Sequence, residues 1–419
     1  MYPRTRTTNR VRQALLAAAL SSLSAGAWAQ PATEPVTATL KSLFAEAWAR
    51  RPEAQALQAR RDAVHAQRRA AAAWTPEPPA LEVSHKTDRL TRNDGARELE
   101  VGVAVPLWLP GERHSTSALA DAEGAAVESR AEGARLQLAA SVREAWWNWQ
   151  RAGIEVEVAR GQLDNARRIA GDVARRAKAG ELARADQHQA DGAAAAAEAA
   201  LAQAQAAATT ALQQVKALSG VSLQGTSVAL PMAEPEPSSG DASKHPALVE
   251  LQARANVAER AAELAATQSR PNPELTLATT RDRAGSGDRY GQTVTLAVRI
   301  PFGGGARHDS RVATARAEAT EAQAQLALDR ARLQSEREAA VARVDAARAQ
   351  LAAAERRATL ARETRGFFEK SFRLGETDLP TRLRIENDAT DAERQAARSR
   401  IELAAAISAW RQALGLLPQ

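Results

Sequence analysis

The feature that most constrains this chain is a long stretch without proline, from Glu112 to Ala179. Along it, apolar or small residues recur at alternating steps of four and three, which is the spacing of a coiled-coil seam. The stripe comprises Leu138, Val142, Ala145, Trp149, Ala152, Val156, Ala159, Leu163, Ala166, Ala170, Val173 and Ala177. A helix of roughly 68 residues spans on the order of 100 Å, which no compact domain needs. The sequence therefore predicts an elongated helical body.

The same unit occurs twice. At a shift of 195 residues, Pro76 and Pro78 align with Pro271 and Pro273, Gly180 with Gly375, and Gly220 with Gly415. The apolar stripe recurs in phase, as Ala340, Val344, Ala347, Leu351, Ala354, Ala358 and Ala361. Alanine-rich helices resemble one another by composition alone, but here the proline and glycine positions recur in order as well. We therefore predict two repeats, 38–222 and 243–417, joined by a linker at 223–242.

Each repeat is also predicted to contain two β-strands, the second of which shows the alternation of a strand with one apolar face. The second strand carries Val101, Val103 and Val105 on one face, and the fourth carries Val294, Leu296 and Val298. The fourth is expected to run from Tyr290 to Phe302. These strands have about the length of transmembrane strands, and four are too few to close a barrel, since the smallest have about eight. The predicted fold is mainly α with a small β part: a long helical coiled-coil barrel and a membrane β-barrel shared between subunits.

The N-terminus predicts export. Residues 1–29 combine an arginine cluster, an apolar run from Ala14 to Leu20 and a small-residue end at Ala27-Trp28-Ala29, as in a secretory signal peptide. A short leader follows at 30–37. Loss of the signal lowers the formal charge from +6 to +2, which removes the main compositional support for nucleic-acid binding. The chain contains no cysteine, so it has neither disulfides nor a thiolate metal site.

No local pattern predicts a catalytic, cofactor or metal site. The six histidines are far apart in sequence and form no compact cluster, so positions on the surface or at element joints are favoured over metal ligation; they are His65, His85, His114, His188, His245 and His308. His114 and His308 recur between the repeats. No arrangement of serine, histidine and acid indicates an enzyme.

The repeated unit of helix, hairpin, helix, tip and helix resembles the outer-membrane efflux proteins of the TolC type, over roughly residues 38–417. The Pro-x-Pro elements at 76–78 and 271–273 and the tips at Gly180 and Gly375 carry this resemblance. The segment from Pro106 to Arg113, Pro-Leu-Trp-Leu-Pro-Gly-Glu-Arg, is similar to the strand exit of the CzcC-like branch, whose members serve heavy-metal cation efflux.

The resemblance implies a homotrimer with a 12-stranded barrel in the bacterial outer membrane and a long periplasmic helical part. It also implies a periplasmic adaptor and an inner-membrane pump of the RND type as partners, and no catalysis. The tips would contact the adaptor or form the aperture; their residues are Gly180, Leu182, Asp186, Gly375, Asp378, Leu379, Thr381 and Arg384. In the family, aspartates often lie six and nine positions after the second tip glycine. Thr381 and Arg384 occupy these positions here, which puts an acidic ring at that level in doubt.

Two alternatives remain open from the sequence. A periplasmic adaptor or other coiled-coil scaffold would share the signal peptide and the long helical hairpins, although it would have one hairpin between β domains. A TolC-type channel could also carry drugs or other small organic molecules in place of cations.

Overall fold

A computed structural model of the chain describes residues 39–223, 233–238, 244–303 and 305–419. The predicted signal peptide and leader lie outside these residues, as does most of the predicted linker. From Leu40 onward the chain forms one unit of helices and a single sheet.

The first repeat contains four helices and two strands: α1 Leu40–Ala49, α2 Pro52–Ala71, β1 Ala80–Thr87, β2 Arg97–Pro106, α3 Glu112–Lys178 and α4 Arg184–Ser219. The second contains α5 Pro246–Thr267, β3 Glu274–Arg283, β4 Gly291–Arg299, α6 Gly305–Arg373 and α7 Leu379–Ala413. The sequence predicts long helices from Glu112 to Ala179 and from Ala306 to Leu374, and α3 and α6 begin and end within one residue of these bounds.

Proline explains two of the observed boundaries. The sequence predicts a helical pattern from Leu40 to Trp74 that is broken near its start only by Pro52, and the structure divides it there, because a residue that precedes proline is driven out of the helical conformation. The fourth strand ends at Arg299 rather than Phe302, because Pro301 has no N–H with which to continue the ladder.

The four strands form one antiparallel sheet in the order β1-β2-β3-β4. The two hairpin loops, at residues 88–96 and 284–290, meet at one end of the sheet, where the Ser286 N–H donates to the Asp94 carbonyl at 2.7 Å. The helices join the other end. Strands β1 and β4 are the two edges.

Small side chains form the seam between the long helices. Where α6 packs against α7, the buried cluster consists of Ala354, Ala358, Ala392 and Ala396. Most of the α3 stripe is buried in the same way, with Val156 and Val173 fully inaccessible. Because the side chains at a contact set the distance between helix axes, this composition permits close pairing along most of each hairpin.

A buried ion-pair network lies between the repeats, in a part of the chain predicted only as linker. Glu234 is 4 % exposed and accepts hydrogen bonds from Arg143 at 2.8 and 2.9 Å and from Ser408 at 2.5 Å. The Arg411 guanidinium lies 3.2 Å from the same carboxylate. Burial alone raises the pKa of Glu234, but the hydrogen bonds and positive charge of its partners outweigh this and hold the pKa below its usual value.

We expect Glu234→Gln to destabilise the protein by about 3–5 kcal/mol, because it leaves two buried guanidinium groups without a counter-charge. The matched control is Glu236→Gln, which removes a half-exposed ion pair with Arg348 and should cost less than about 1 kcal/mol. Thermal unfolding, followed by the helical circular dichroism signal, measures both.

The lowered pKa of Glu234 also determines how the stability of the protein depends on pH. Glu234 stabilises the folded protein fully when the pH is above 4.5, the ordinary carboxyl pKa. This stabilisation is lost as the pH falls through the lower pKa of the folded state. The difference between the wild type and Glu234→Gln should therefore shrink in acid. Equal melting temperatures of the two Gln variants near neutral pH would contradict this role.

Candidate membrane face and helical tips

One face of the sheet is apolar, and that face is exposed. Residues that pair across strands lie on the same side, and the register aligns Leu81, Val103, Leu277 and Leu296 in one row. The next row contains Val83, Val101 and Val294, with Thr279 between them. Leu296 is 69 % exposed and Val294 is 72 % exposed.

The opposite face is polar or small. Gly102, Ala104 and Ala278 are buried at its centre, and a Cβ placed on Gly102 would lie 2.9 Å from the Ala278 methyl carbon. Glu82 and Glu100 lie on this same face. Polarity is thus reversed relative to a sheet that packs on a core, because the apolar side faces outward. All six predicted strand residues lie on this outer apolar face, five of them exposed and Val105 partly buried.

The strand-exit segment forms the joint between the sheet and α3. Glu112 is 2 % exposed, and its carboxylate accepts from the Leu109 N–H at 3.0 Å, from Gln268 at 2.8 Å and from Asn272 at 2.9 Å. The Trp108 indole N–H donates to the Ala73 carbonyl at 3.2 Å. This single carboxylate therefore ties the start of α3 to the end of α5 and to the Pro-Asn-Pro element of the second repeat.

The tips lie at the far ends of α3 and α6. Gly180 and Gly375 adopt positive φ angles of 81° and 80°, as glycine commonly does after the end of a helix. A Cβ at either position would meet nothing within 4 Å, so backbone conformation rather than space favours glycine there.

The two tips are in direct contact. Phe372 is 2 % exposed and packs in a cluster with Ile169 and Val173 of α3 and Leu379 of α7, against which Leu182 also packs. Arg176 of α3 donates to the Phe372 carbonyl at 3.2 Å and lies 5.0 Å from the ring centroid of Phe372. The second tip is thereby held against the first.

The acids of the tips are used as helix caps. Asp378 caps α7 and accepts from the Thr381 N–H at 3.2 Å, and hydrogen bonding to Thr381 lowers its pKa. Asp186 accepts from the Ala183 N–H at 3.1 Å at the start of α4. Arg384 lies 3.9 Å from Asp388. These contacts explain the acids as local structure, and the role of these residues in an aperture or in partner contact stays a prediction.

A polar groove of 1110 Å³ lies beside the tips, between α3, α6 and α7. Arginines and acidic side chains line it in equal number. Arg365 bridges Glu386 and Glu393, each at 3.5 Å, and burial raises the pKa of Glu386. The wall is therefore hydrophilic, with no excess of either charge.

Residues 43–221 match the family model described as outer membrane efflux protein. This match covers nearly all of the first repeat. No curated protein matches the sequence.

Solved structures share the fold over 90 % of the chain. VceC from Vibrio cholerae is 20 % identical to this chain, the match covers 96 % of VceC, and the TM-score is 0.71. CusC, whose structures describe transmembrane channel formation, is 16 % identical, is covered over 92 % and has a TM-score of 0.74. The open state of the MtrE outer membrane channel of Neisseria gonorrhoeae is 14 % identical, is covered over 89 % and has a TM-score of 0.67. Both repeats therefore share the fold of these structures, and these structural neighbours are non-enzymatic transport channels.

Two properties of the described residues bear on the site. None of the helices there combines the length and apolar character needed to cross a bilayer. Nor does that part of the chain contain a group of three or more histidine and acidic side chains able to hold a metal ion. His114 is exposed beside the α3 joint, and His245 caps α5 by accepting from the Ala247 N–H at 3.3 Å.

Sequence reasoning missed the residues that connect the two repeats. Arg143 and Arg411 lie 91 and 177 positions from Glu234, so no local pattern relates them. Phe372 carried a weak signal, as an aromatic residue in the last helical turn before the tip glycine. Nothing in the sequence indicated that it would pack against Arg176 of the other repeat.

The exposed sheet face generates a prediction for membrane insertion. Val103→Arg and Leu296→Arg should each cost roughly 2–4 kcal/mol at the bilayer midplane and lower the amount of protein assembled in the outer membrane. Leu296→Ile should be tolerated. Thr295→Arg, one residue away on the polar face, is the matched control, and normal assembly of both apolar-face variants would show that the face does not contact lipid.

Proposed function

We propose that this chain is the outer-membrane channel subunit of a tripartite efflux system, in which three copies assemble one conduit. The observation that carries this proposal is the sheet, with its exposed apolar face and its two edge strands. Unpaired strand edges are costly in hydrocarbon, because no water is available to their backbone groups. Three copies supply 12 strands, which is enough to close a barrel.

The helical part serves the same function. In the assembled trimer, α3, α4, α6 and α7 of each copy form the periplasmic tube, and the hydrophilic groove between α3, α6 and α7 contributes water-accessible wall. An adaptor contacts the tips, and an RND-type inner-membrane pump supplies the substrate. The alternative of a periplasmic adaptor or scaffold is disfavoured by the sheet, since a water-soluble protein rarely exposes a continuous apolar face.

Heavy-metal cations are the proposed substrate. Support comes from the resemblance of the strand-exit segment, from Pro106 to Arg113, to the CzcC-like branch. A second candidate, small organic molecules, is favoured by the balanced charge of the groove, which would not select for cations. The metal- and drug-sensitivity profiles of a strain that lacks the chain distinguish the two.

Assembly provides the direct test. The mature chain should be recovered in the outer-membrane fraction, should require detergent for solubility, and should have the mass of three copies in detergent. A soluble periplasmic monomer would overturn the proposal.

The tips should be functional rather than mere connectors. Gly180→Val and Gly375→Val each force a β-branched residue to positive φ, at a cost of at least about 1–2 kcal/mol per site. We expect efflux resistance and adaptor crosslinking to fall while outer-membrane abundance is retained, because the tips lie on the order of 100 Å from the sheet.

Gly366→Val is the matched control, since Gly366 lies within α6 near the same tip and a Cβ there also meets nothing within 4 Å. Undiminished resistance and crosslinking in both tip variants, at normal abundance, would show that the tips are connectors only.

A further inference from the structure

At the loop end of the sheet, the outer face changes from apolar to basic. Arg97 of β2 and Arg283 of β3 are direct cross-strand partners, and Arg281 pairs with Leu99 one row closer to the apolar zone. All three arginines have the strand parity of Val101 and Leu277, so they lie on the outer face. The acids of the row between them, Glu98 and Asp282, pair with each other, have the opposite parity and lie on the other face.

The three guanidinium groups have no carboxylate partner within ion-pair distance among the described residues. Arg281 and Arg283 instead lie over the Tyr290 ring, at 4.6 and 5.1 Å from its centroid. Arg283 also donates to the Gly95 carbonyl at 3.0 Å. Like charges placed directly opposite in an antiparallel pair are destabilising. An anion between Arg97 and Arg283 would therefore stabilise this pair, and no carboxylate of the described residues lies close enough to act as that anion.

The position of this cluster identifies the anion. Arg281 lies four residues beyond Leu277 on β3, which is about 14 Å along the strand and about 10 Å in depth at the tilt of a membrane strand. Half of an outer-membrane apolar band is roughly 12 Å, so the arginines reach the headgroup level. Tyrosine is enriched at that level, and the fork of arginine matches the oxygens of a phosphate group.

We propose that Arg97, Arg281 and Arg283, with Tyr290, form a binding surface for the phosphate groups of anionic lipid in the outer leaflet. This inference rests on the proposed function, because the loop end faces the exterior only if the sheet lies in the outer membrane. The lipid phosphate neutralises the opposed arginines and fixes the depth of the sheet in the bilayer.

The test compares lipid binding by the detergent-purified assembly of the full chain. Phosphatidylglycerol and phosphatidylcholine are offered together, and bound lipid is counted by native mass spectrometry. The wild type should retain phosphatidylglycerol preferentially. The triple variant Arg97→Gln, Arg281→Gln and Arg283→Gln should lose that preference by on the order of 100-fold, at about tenfold or less per arginine.

The control variant carries Arg343→Gln, Arg356→Gln and Arg357→Gln, which remove the same charge from exposed positions of α6. It should bind lipid as the wild type does. The single variant Arg281→Gln should give a partial loss if the triple variant assembles poorly. Equal lipid retention by the triple and control variants would overturn the inference, as would equal binding of the two lipids by the wild type.

Inorganic phosphate is added as a competitor in a further arm. Complete displacement of phosphatidylglycerol at millimolar phosphate would show a site for the soluble anion and would overturn the lipid assignment. Failure of the inference is separable from failure of the function. If the wild type is a trimer in the outer membrane but shows no lipid preference, only the inference fails; if it is not in that membrane, the proposed function fails.

Discussion

The structure depends on how closely its long antiparallel helices can pack. Alanine at the contacts, as in Ala354, Ala358, Ala392 and Ala396, allows α6 and α7 to pair without bulky side chains forcing them apart. The helices can stay close together over a long distance, because none of the side chains at the contact is large. The length of these helices separates the sheet from the tips by on the order of 100 Å. In the proposed channel, one chain can therefore present a membrane face at one end and a partner-binding edge at the other.

Two buried carboxylates connect helices of the two repeats through hydrogen bonds and ion pairs, which small apolar side chains cannot form. Glu112 connects the start of α3 to α5 and the second Pro-x-Pro element, and Glu234 connects α3 to α7 through two arginines. A buried ion pair adds little net stability over an apolar contact, but the loss of one member is costly. Such contacts specify one relative placement of the repeats, which is what a conduit built from several copies requires.

The two repeats are alike in outline but differ at their joints and tips. Before its long helix the first repeat has Pro110-Gly111, and the second has the glycine-rich segment from Gly303 to Gly305. At the tips, Phe372 of the second repeat is held by Arg176 of the first, in an asymmetric contact. In the proposed trimer, the edge offered to an adaptor would therefore alternate between two kinds of tip.

The sequence by itself determined the elements and their order. Proline-free stripes defined α3 and α6 to within one residue, and strand alternation placed Val101, Val103, Val294 and Leu296 on one face, because both signals are periodic and local. Only the tertiary structure decided which distant residues meet: Glu234 with its two arginines, Phe372 with Arg176, and Arg97 opposite Arg283. Each of these contacts joins residues that are far apart in the chain. They depend on strand register and helix packing, which arise from the sum of many weak contacts and leave no mark in any local pattern.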